Sequence, residues 1–264
     1  MKKIGIIGGS GLDNIKELHY KDSIKVDTPY GNPSYEYKVY KSDSAEIYSL
    51  ARHGKNHEYA PHNINYKANI FGFHKLGVTE ILSFSSAGGI NLNYKKGDLV
   101  LTSDAIDFTN RGSITFYDEI GKVIHVDMSN PFCNKVVLKL KKACEKDNIK
   151  IIENGIYVCT NGPRFETPAE INMFRLLKAD MVGMTLFPEV TLSKEMGICY
   201  GNITLITNSG SGVEEDRKLT SSEVIEEAVK HTEKIANIIK NYIEDNNEGV
   251  CACKDILKGA VISK

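Results

Sequence analysis

Several short stretches carry residues whose types suit an anion or a planar ring. Gly8-Gly9-Ser10-Gly11 follows an apolar run and offers backbone amides with the Ser10 hydroxyl. A glycine turn of this kind lets N–H groups approach an anion closely. Arg52 and His53 follow Leu50-Ala51, and a guanidinium fork can make two parallel charged bonds to a phosphate. Ser85-Ser86-Ala87-Gly88-Gly89 adds hydroxyls and further amides after an apolar stretch. Each of these alone fits a tight turn or a surface ion pair equally well; three together point to a phosphate site. A different chemistry is offered at residues 161–170, where Phe165 and Glu166 lie in a Pro/Gly-bounded loop. An aromatic wall beside an acceptor-only carboxylate suits a planar heterocycle, although a carboxylate at a helix start also benefits from the helix dipole. Met184 and Thr185 stand just past another apolar run, where a methionine by itself reads as core filler.

These stretches need elements to hold them. Short apolar, β-branched runs at residues 3–7, 46–51, 80–85, 98–106, 151–159, 179–183 and 198–207 read as strands. Helical spacing marks residues 65–76, 131–146, 168–177, 189–196 and a long segment at 222–243. Strands alternating with helices imply an α/β fold: a single domain with a central mixed, largely parallel sheet flanked by helices. Ligands of such sheets gather at the carboxyl ends of strands, which is where Gly8 to Ser10, Arg52-His53, Ser85 to Ala87 and Asn208 to Gly210 fall. No linker, repeat or composition break divides the chain. Residues 1–245 therefore form one domain, and residues 246–264 a polar, loosely packed tail.

Other classes are excluded or disfavoured. The chain has 264 residues and a formal net charge of -1, with 33 Lys+Arg scattered along it. This leaves no electrostatic footprint for nucleic acid or a membrane surface. No apolar run reaches membrane-spanning length, and the apolar stretch after Lys2-Lys3 stops at once in glycines, so the expected location is the cytoplasm. A dinucleotide fingerprint fails because Asn14 stands where its last glycine belongs. The six cysteines show no zinc-ligand spacing, no metal is expected, and Cys251-Ala252-Cys253 reads as an incidental pair of thiols.

Taken as a set, Gly8-Gly9-Ser10-Gly11, Ala51-Arg52-His53-Gly54, the run from Ser85 to Gly89, residues 162–170, residues 183–189 and Ile206-Thr207-Asn208 occur in an order that resembles the trimeric purine nucleoside and methylthioadenosine phosphorylase family. The resemblance spans nearly the whole chain and implies a nucleoside phosphorylase fold. By position it implies phosphate contacts from Ser10, Arg52, His53, Ser86, Ala87 and Thr185. It implies base and ribose contacts from Phe165, Glu166, Met184, Gly88 and Asn208, with Asn208, Glu166 and His53 as the catalytic group. His125 corresponds to a residue that reaches the sugar's 5′ end across a subunit interface. Ser221 stands where members that use a free 5′-hydroxyl often carry histidine. The resemblance also implies a homotrimer or a dimer of trimers, inorganic phosphate as co-substrate, no cofactor, and a role in purine salvage.

The base pocket narrows the substrate. The Asn208 amide offers both a donor and an acceptor, whereas Glu166 only accepts. A 6-oxopurine presents N1–H to that carboxylate; adenine presents a lone pair. A polar site rejects such a mispaired analogue by roughly 10⁴-fold in favourable cases. The methylthioadenosine members usually carry Asp at the position of Asn208 and a small hydroxyl residue at that of Glu166, yet the stretch from Phe116 to Asp118 resembles theirs. The expected substrates are inosine, guanosine or 5′-methylthioinosine. S-methyl-5′-thioadenosine phosphorolysis is the alternative, and a nucleoside hydrolase or a non-catalytic nucleoside-binding protein are remoter ones.

Overall fold

Nine strands make one sheet in the computed structural model, which describes residues 1–8, 15–112, 114–121, 123–214, 219–247 and 249–261. The strands are β1 (Lys2–Ile7), β2 (His19–Ile24), β3 (Tyr37–Lys41), β4 (Ala45–Leu50), β5 (Glu80–Gly89), β6 (Leu99–Asp107), β7 (Ile152–Cys159), β8 (Met181–Gly183) and β9 (Cys199–Ser209). Six α-helices accompany them: α1 (Tyr66–Lys75), α2 (Asn134–Lys146), α3 (Pro168–Leu176), α4 (Leu186–Glu195), α5 (Ser221–Lys230) and α6 (Thr232–Glu244). The strand order is β2-β3-β4-β1-β5-β8-β7-β6-β9, and β5 pairs in addition with β9. Strands β5 to β9 thus close on themselves as a small barrel, with β1 to β4 extending from it as an open sheet.

The sheet is mixed, as expected, and the parallel pairs are only a narrow majority. The pairs β1–β4, β1–β5, β5–β9, β6–β7 and β7–β8 are parallel, whereas β2–β3, β3–β4, β5–β8 and β6–β9 are antiparallel. Strands β2 and β3 lie outside the runs read as strands from the sequence, although Tyr37, Val39 and Tyr40 of β3 are buried. β2 is an exposed edge of mostly polar residues, and edge strands are kept polar to discourage further pairing.

Strand β5 is also longer than its apolar pattern indicates, because Ser85 to Gly89 continue the strand instead of turning after it. Gly88 and Gly89 are shared, facing Val182 and Met181 of β8 on one side and Asn208 and Ser209 of β9 on the other. The register slips between Ala87 and Gly88, and such a bulge re-aims the side chains around it.

Two apolar layers pack on the sheet. On one face Ile4, Leu82, Ile203 and Leu205 meet Val136, Leu140, Ile238, Ile239 and Tyr242 of α2 and α6. On the other, Tyr37, Tyr48 and Ile81 meet Ile70, Phe73, Val190 and Leu192 of α1 and α4. Local signals set the helix starts. The Asn65 side chain accepts from the Ala68 amide at α1, and Thr167 with Glu170 makes a reciprocal capping box at α3. The long C-terminal helix is broken: α5 and α6 meet at His231, whose ring sits 3.1 Å from a Glu227 carboxylate oxygen.

Gly183, at the barrel rim, has no room for a side chain, since a Cβ there would lie 1.9 Å from the Tyr157 hydroxyl. Overpacking of this kind costs about 1–3 kcal/mol or more. Gly183→Ala is therefore expected to lower the thermal midpoint in differential scanning fluorimetry, and a midpoint equal to that of the parent chain would contradict this packing.

Candidate functional site

The carboxyl ends of β1, β4, β5, β8 and β9 open into one cleft of about 720 Å³. Its lining includes Gly8, Arg52, His53, Ser86, Ala87 and Thr185, together with Phe165, Glu166, Met184, Gly88 and Asn208. Stretches separated by up to two hundred residues are thereby brought together at one end of the sheet, as expected of a site at strand ends. Ser10 lies outside the described residues. Gly8 itself takes a left-handed conformation (φ +73°), which a glycine adopts without strain.

Arg52 is almost fully buried and does more than face a ligand. Its Nε donates to Glu189 Oε1 at 2.5 Å, and Nη2 donates to Glu189 Oε2 at 3.0 Å and to Ser83 Oγ at 2.8 Å. Nη1 donates to the Phe84 carbonyl at 3.0 Å. Of its five N–H groups, one on Nη1 has no partner among the described residues. That nitrogen abuts Gly8, where a Cβ would come within 2.6 Å of it. Burial opposes the charged guanidinium, but the Glu189 carboxylate outweighs burial and raises its pKa. Tyr200 also donates to Glu189, at 2.8 Å.

His53 stacks on His57, with ring centroids 4.2 Å apart, and its Nδ1 lies 2.9 Å from the Tyr59 carbonyl. A carbonyl only accepts, so Nδ1 carries the proton and Nε2 of the neutral ring is an acceptor. Burial and the Arg52 charge lower its pKa from 6.5 to about 4, with a lesser contribution from His57, against the opposing effect of the Tyr59 carbonyl. A neutral imidazole with a free Nε2 suits a protonated phosphate oxygen.

On the other side of the cleft, Glu166 Oε1 accepts from the Thr160 hydroxyl at 2.6 Å. Burial raises the Glu166 pKa, and the Thr160 bond lowers it in part. Asn208 is held by its two chain neighbours: the Thr207 hydroxyl donates to Oδ1 at 2.9 Å, and Nδ2 donates to the Ser209 carbonyl at 2.8 Å. This orientation leaves one donor N–H and one acceptor lone pair on the amide for a ligand. Gly88 keeps the approach to it open, since a Cβ there would stand 3.2 Å from Nδ2.

Residues 3–244 match the phosphorylase superfamily. The chain belongs to that superfamily. It is 43% identical over 258 residues to a probable 6-oxopurine nucleoside phosphorylase of Dictyoglomus turgidum, covering 97% of each chain. It is 40% identical over 259 residues to an S-methyl-5′-thioadenosine phosphorylase of Pyrococcus horikoshii, covering 98% of each. Among solved structures it resembles a methylthioadenosine phosphorylase from an antarctic soil metagenomic library, with a TM-score of 0.92 and 31% identity, over 99% of this chain and 92% of that one. As a member of this superfamily with relatives named as nucleoside phosphorylases, the chain is a pentosyltransferase.

Not every residue implied by the family pattern reaches this phosphorylase cleft within one chain. His125 is exposed and outside the lining, with its backbone N–H bonded to the Ala260 carbonyl. Ser221 is the exposed first residue of α5 and also stands outside the lining. The wall there is apolar instead, formed by Leu219, Val224, Ile225 and Ala228.

Other residues were not singled out from sequence. Glu189 ends the motif at residues 183–189 but has no role assigned from sequence. Thr207 lies inside the Ile206-Thr207-Asn208 motif but has no role assigned from sequence. Arg111 has no motif at all, yet it donates to the carbonyls of Met184 (2.7 Å), Phe187 (2.5 Å) and Asn161 (3.2 Å) and so braces three rim segments together. No helix among the described residues is long and apolar enough to cross a membrane.

The His53 environment has a measurable consequence. A depressed imidazole pKa contributes stability that is present above the unfolded value of 6.5 and is lost as pH falls toward about 4. In phosphate-free protein, NMR titration of the imidazole is expected to place its midpoint near 4. A midpoint near the unperturbed value would show that burial and Arg52 do not control this ring.

Proposed function

We propose that the protein catalyses phosphorolysis of 6-oxopurine nucleosides, giving the free base and a pentose 1-phosphate. The observation that carries this reading is the fixed Asn208 amide, which shares a cleft with the acceptor-only Glu166 carboxylate. The unused N–H of Asn208 would donate to O6 while its unused lone pair accepts from N7–H, and Glu166 would accept from N1–H. Adenine offers Glu166 a lone pair instead, and leaving a buried polar group unpaired is costly.

The chemistry follows from charge. As the C1′–N9 bond breaks, its electron pair goes to the purine and positive charge grows on the sugar. A proton taken up at N7 from solvent, and held there by the Asn208 carbonyl oxygen, makes the departing base neutral. A phosphate oxygen then forms the new bond to C1′. Arg52, His53, Ser86, the Ala87 backbone and Thr185 would hold that phosphate beneath C1′, with Ser10 contributing from the glycine turn, and the Met184 side chain would lie against the ribose. Thr185 suits this role because its hydroxyl does not cap its own helix. Positioning of the nucleophile and preorganised donors supply most of the acceleration in such a reaction, and no cofactor is required.

At the 5′ end the apolar wall of Leu219, Val224, Ile225 and Ala228 favours an alkylthio substituent over a free hydroxyl, which makes 5′-methylthioinosine the preferred nucleoside of this class. The remaining elements of the proposal, a homotrimeric assembly and a cytoplasmic role in purine salvage, are supported by the resemblance of the site motifs.

Initial rates with methylthioinosine, inosine, guanosine and methylthioadenosine, each with and without phosphate, test the reading. Cleavage is expected to require phosphate and to favour the 6-oxopurines; preference for methylthioadenosine, or phosphate-independent cleavage, would overturn it. Asn208→Asp is expected to shift relative kcat/KM toward adenine nucleosides by at least about tenfold, because Asp only accepts while adenine offers an amino group at C6. The raised Glu166 pKa gives a further expectation. The carboxylate accepts N1–H above that pKa, and the protonated acid donates to adenine N1 below it. The inosine-to-adenosine ratio of kcat/KM should therefore fall as pH is lowered, and a ratio that rises on acidification would contradict the assigned role of Glu166.

A further inference from the structure

Four cysteines from three distant parts of the chain converge away from the cleft. The sulfurs of Cys133, Cys199, Cys251 and Cys253 all lie within 4.8 Å of one another, and all four are free thiols. Cys133 is the N-cap residue of α2, Cys199 opens β9, and the other two belong to the C-terminal segment. The backbone holds them in place. The Cys133 N–H donates to the Tyr200 carbonyl at 2.9 Å, and the chain at Cys253-Lys254 packs over the Gly197 turn just before β9.

We propose that these four cysteines bind one zinc ion in a closed, structural tetrathiolate site. Zinc takes four thiolates at about 2.3 Å in a tetrahedron, which sets the sulfurs about 3.8 Å apart. The arrangement matches in a specific way: every sulfur has the other three as near neighbours, as a tetrahedron requires, whereas two separate covalent pairs would need only one neighbour each. With four protein ligands no position is open for substrate, so the ion is structural.

The surroundings suit an anionic cluster. The N-terminus of α2 favours a thiolate at Cys133. Lys135 stands within electrostatic reach of Cys199 and Cys251, and Lys194 within reach of Cys133 and Cys253. Cys133 and Cys199 are buried while Cys251 is exposed, which leaves the ion a way in from solvent. Binding would displace the thiol protons to solvent, and its free energy would become folding free energy. The site would tie the segment around residues 249–261 to α2 and β9.

The test uses the full chain purified with reductant, without chelator, and reconstituted with zinc. Elemental analysis is expected to find about one zinc per chain, and cobalt in its place should give the thiolate-to-metal charge-transfer and intense visible bands of a tetrahedral site. The variant Cys251→Ser with Cys253→Ser is expected to lose at least about tenfold in metal content and to unfold at a lower temperature, with phosphorolysis rates unchanged. Three results would overturn the proposal: metal-free protein whose four thiols all react with a thiol reagent, the same cysteines recovered as disulfides under these conditions, or equal zinc content in parent and variant.

Discussion

The buried pair of Arg52 and Glu189 is the constraint on which the cleft is built. Two charges out of water are tolerated only when their remaining donors and acceptors are met. Here the guanidinium fork reaches both carboxylate oxygens, Ser83 and the Phe84 carbonyl take up all but one of the other N–H groups, and the Tyr200 hydroxyl donates to the carboxylate. These partners come from β5, β9 and α4, so satisfying one arginine fixes the relative position of the strand ends that form the site. Ser83 in turn receives a hydrogen bond from Asn202, whose carbonyl oxygen accepts from Thr102 and Thr204 at 2.7 Å. The network therefore extends across the strands that close the barrel. A buried polar network of this kind specifies one arrangement because any partial version leaves charges unpaired.

The same logic of leftover valence governs the ligand side. Arg52 enters the cleft with a single N–H to spare, Asn208 with one donor and one acceptor, and His53 with one acceptor nitrogen. Each group is first committed to the protein and only then to substrate. A small set of fixed, partly used groups discriminates more sharply than flexible ones, because a mismatched ligand cannot be met by a side chain turning to a new partner. Arg111 does the equivalent for the rim, holding three carbonyls with one guanidinium.

Much of this arrangement is legible in the chain before any fold is considered. The glycine turn, Arg52-His53, the serine-rich end of β5 and the pairing of Phe165 with Glu166 stand out because phosphate and purine recognition demand particular side-chain types. The strong helices and the buried strands are equally readable, because apolar periodicity reports burial directly. The weak points have physical causes too. Strand β2 is hidden because an exposed edge strand has little apolar pattern. Which strand pairs run antiparallel is hidden because periodicity carries no information about orientation.

The sequence by itself determined the chemistry on offer: which residues can bind an anion, which can read a ring, and which runs must be buried. It determined these because they depend on side-chain type and local spacing. Only the tertiary structure decided which groups are partnered and which are left free. Glu189 becomes the counter-ion of Arg52, Thr207 and Ser209 orient Asn208, and His125 and Ser221 stand outside the single-chain cleft. Cys251 and Cys253 join Cys133 and Cys199 instead of standing as an isolated pair. These outcomes depend on contacts between residues far apart in the chain, set by barrel closure and burial, and no local pattern encodes them.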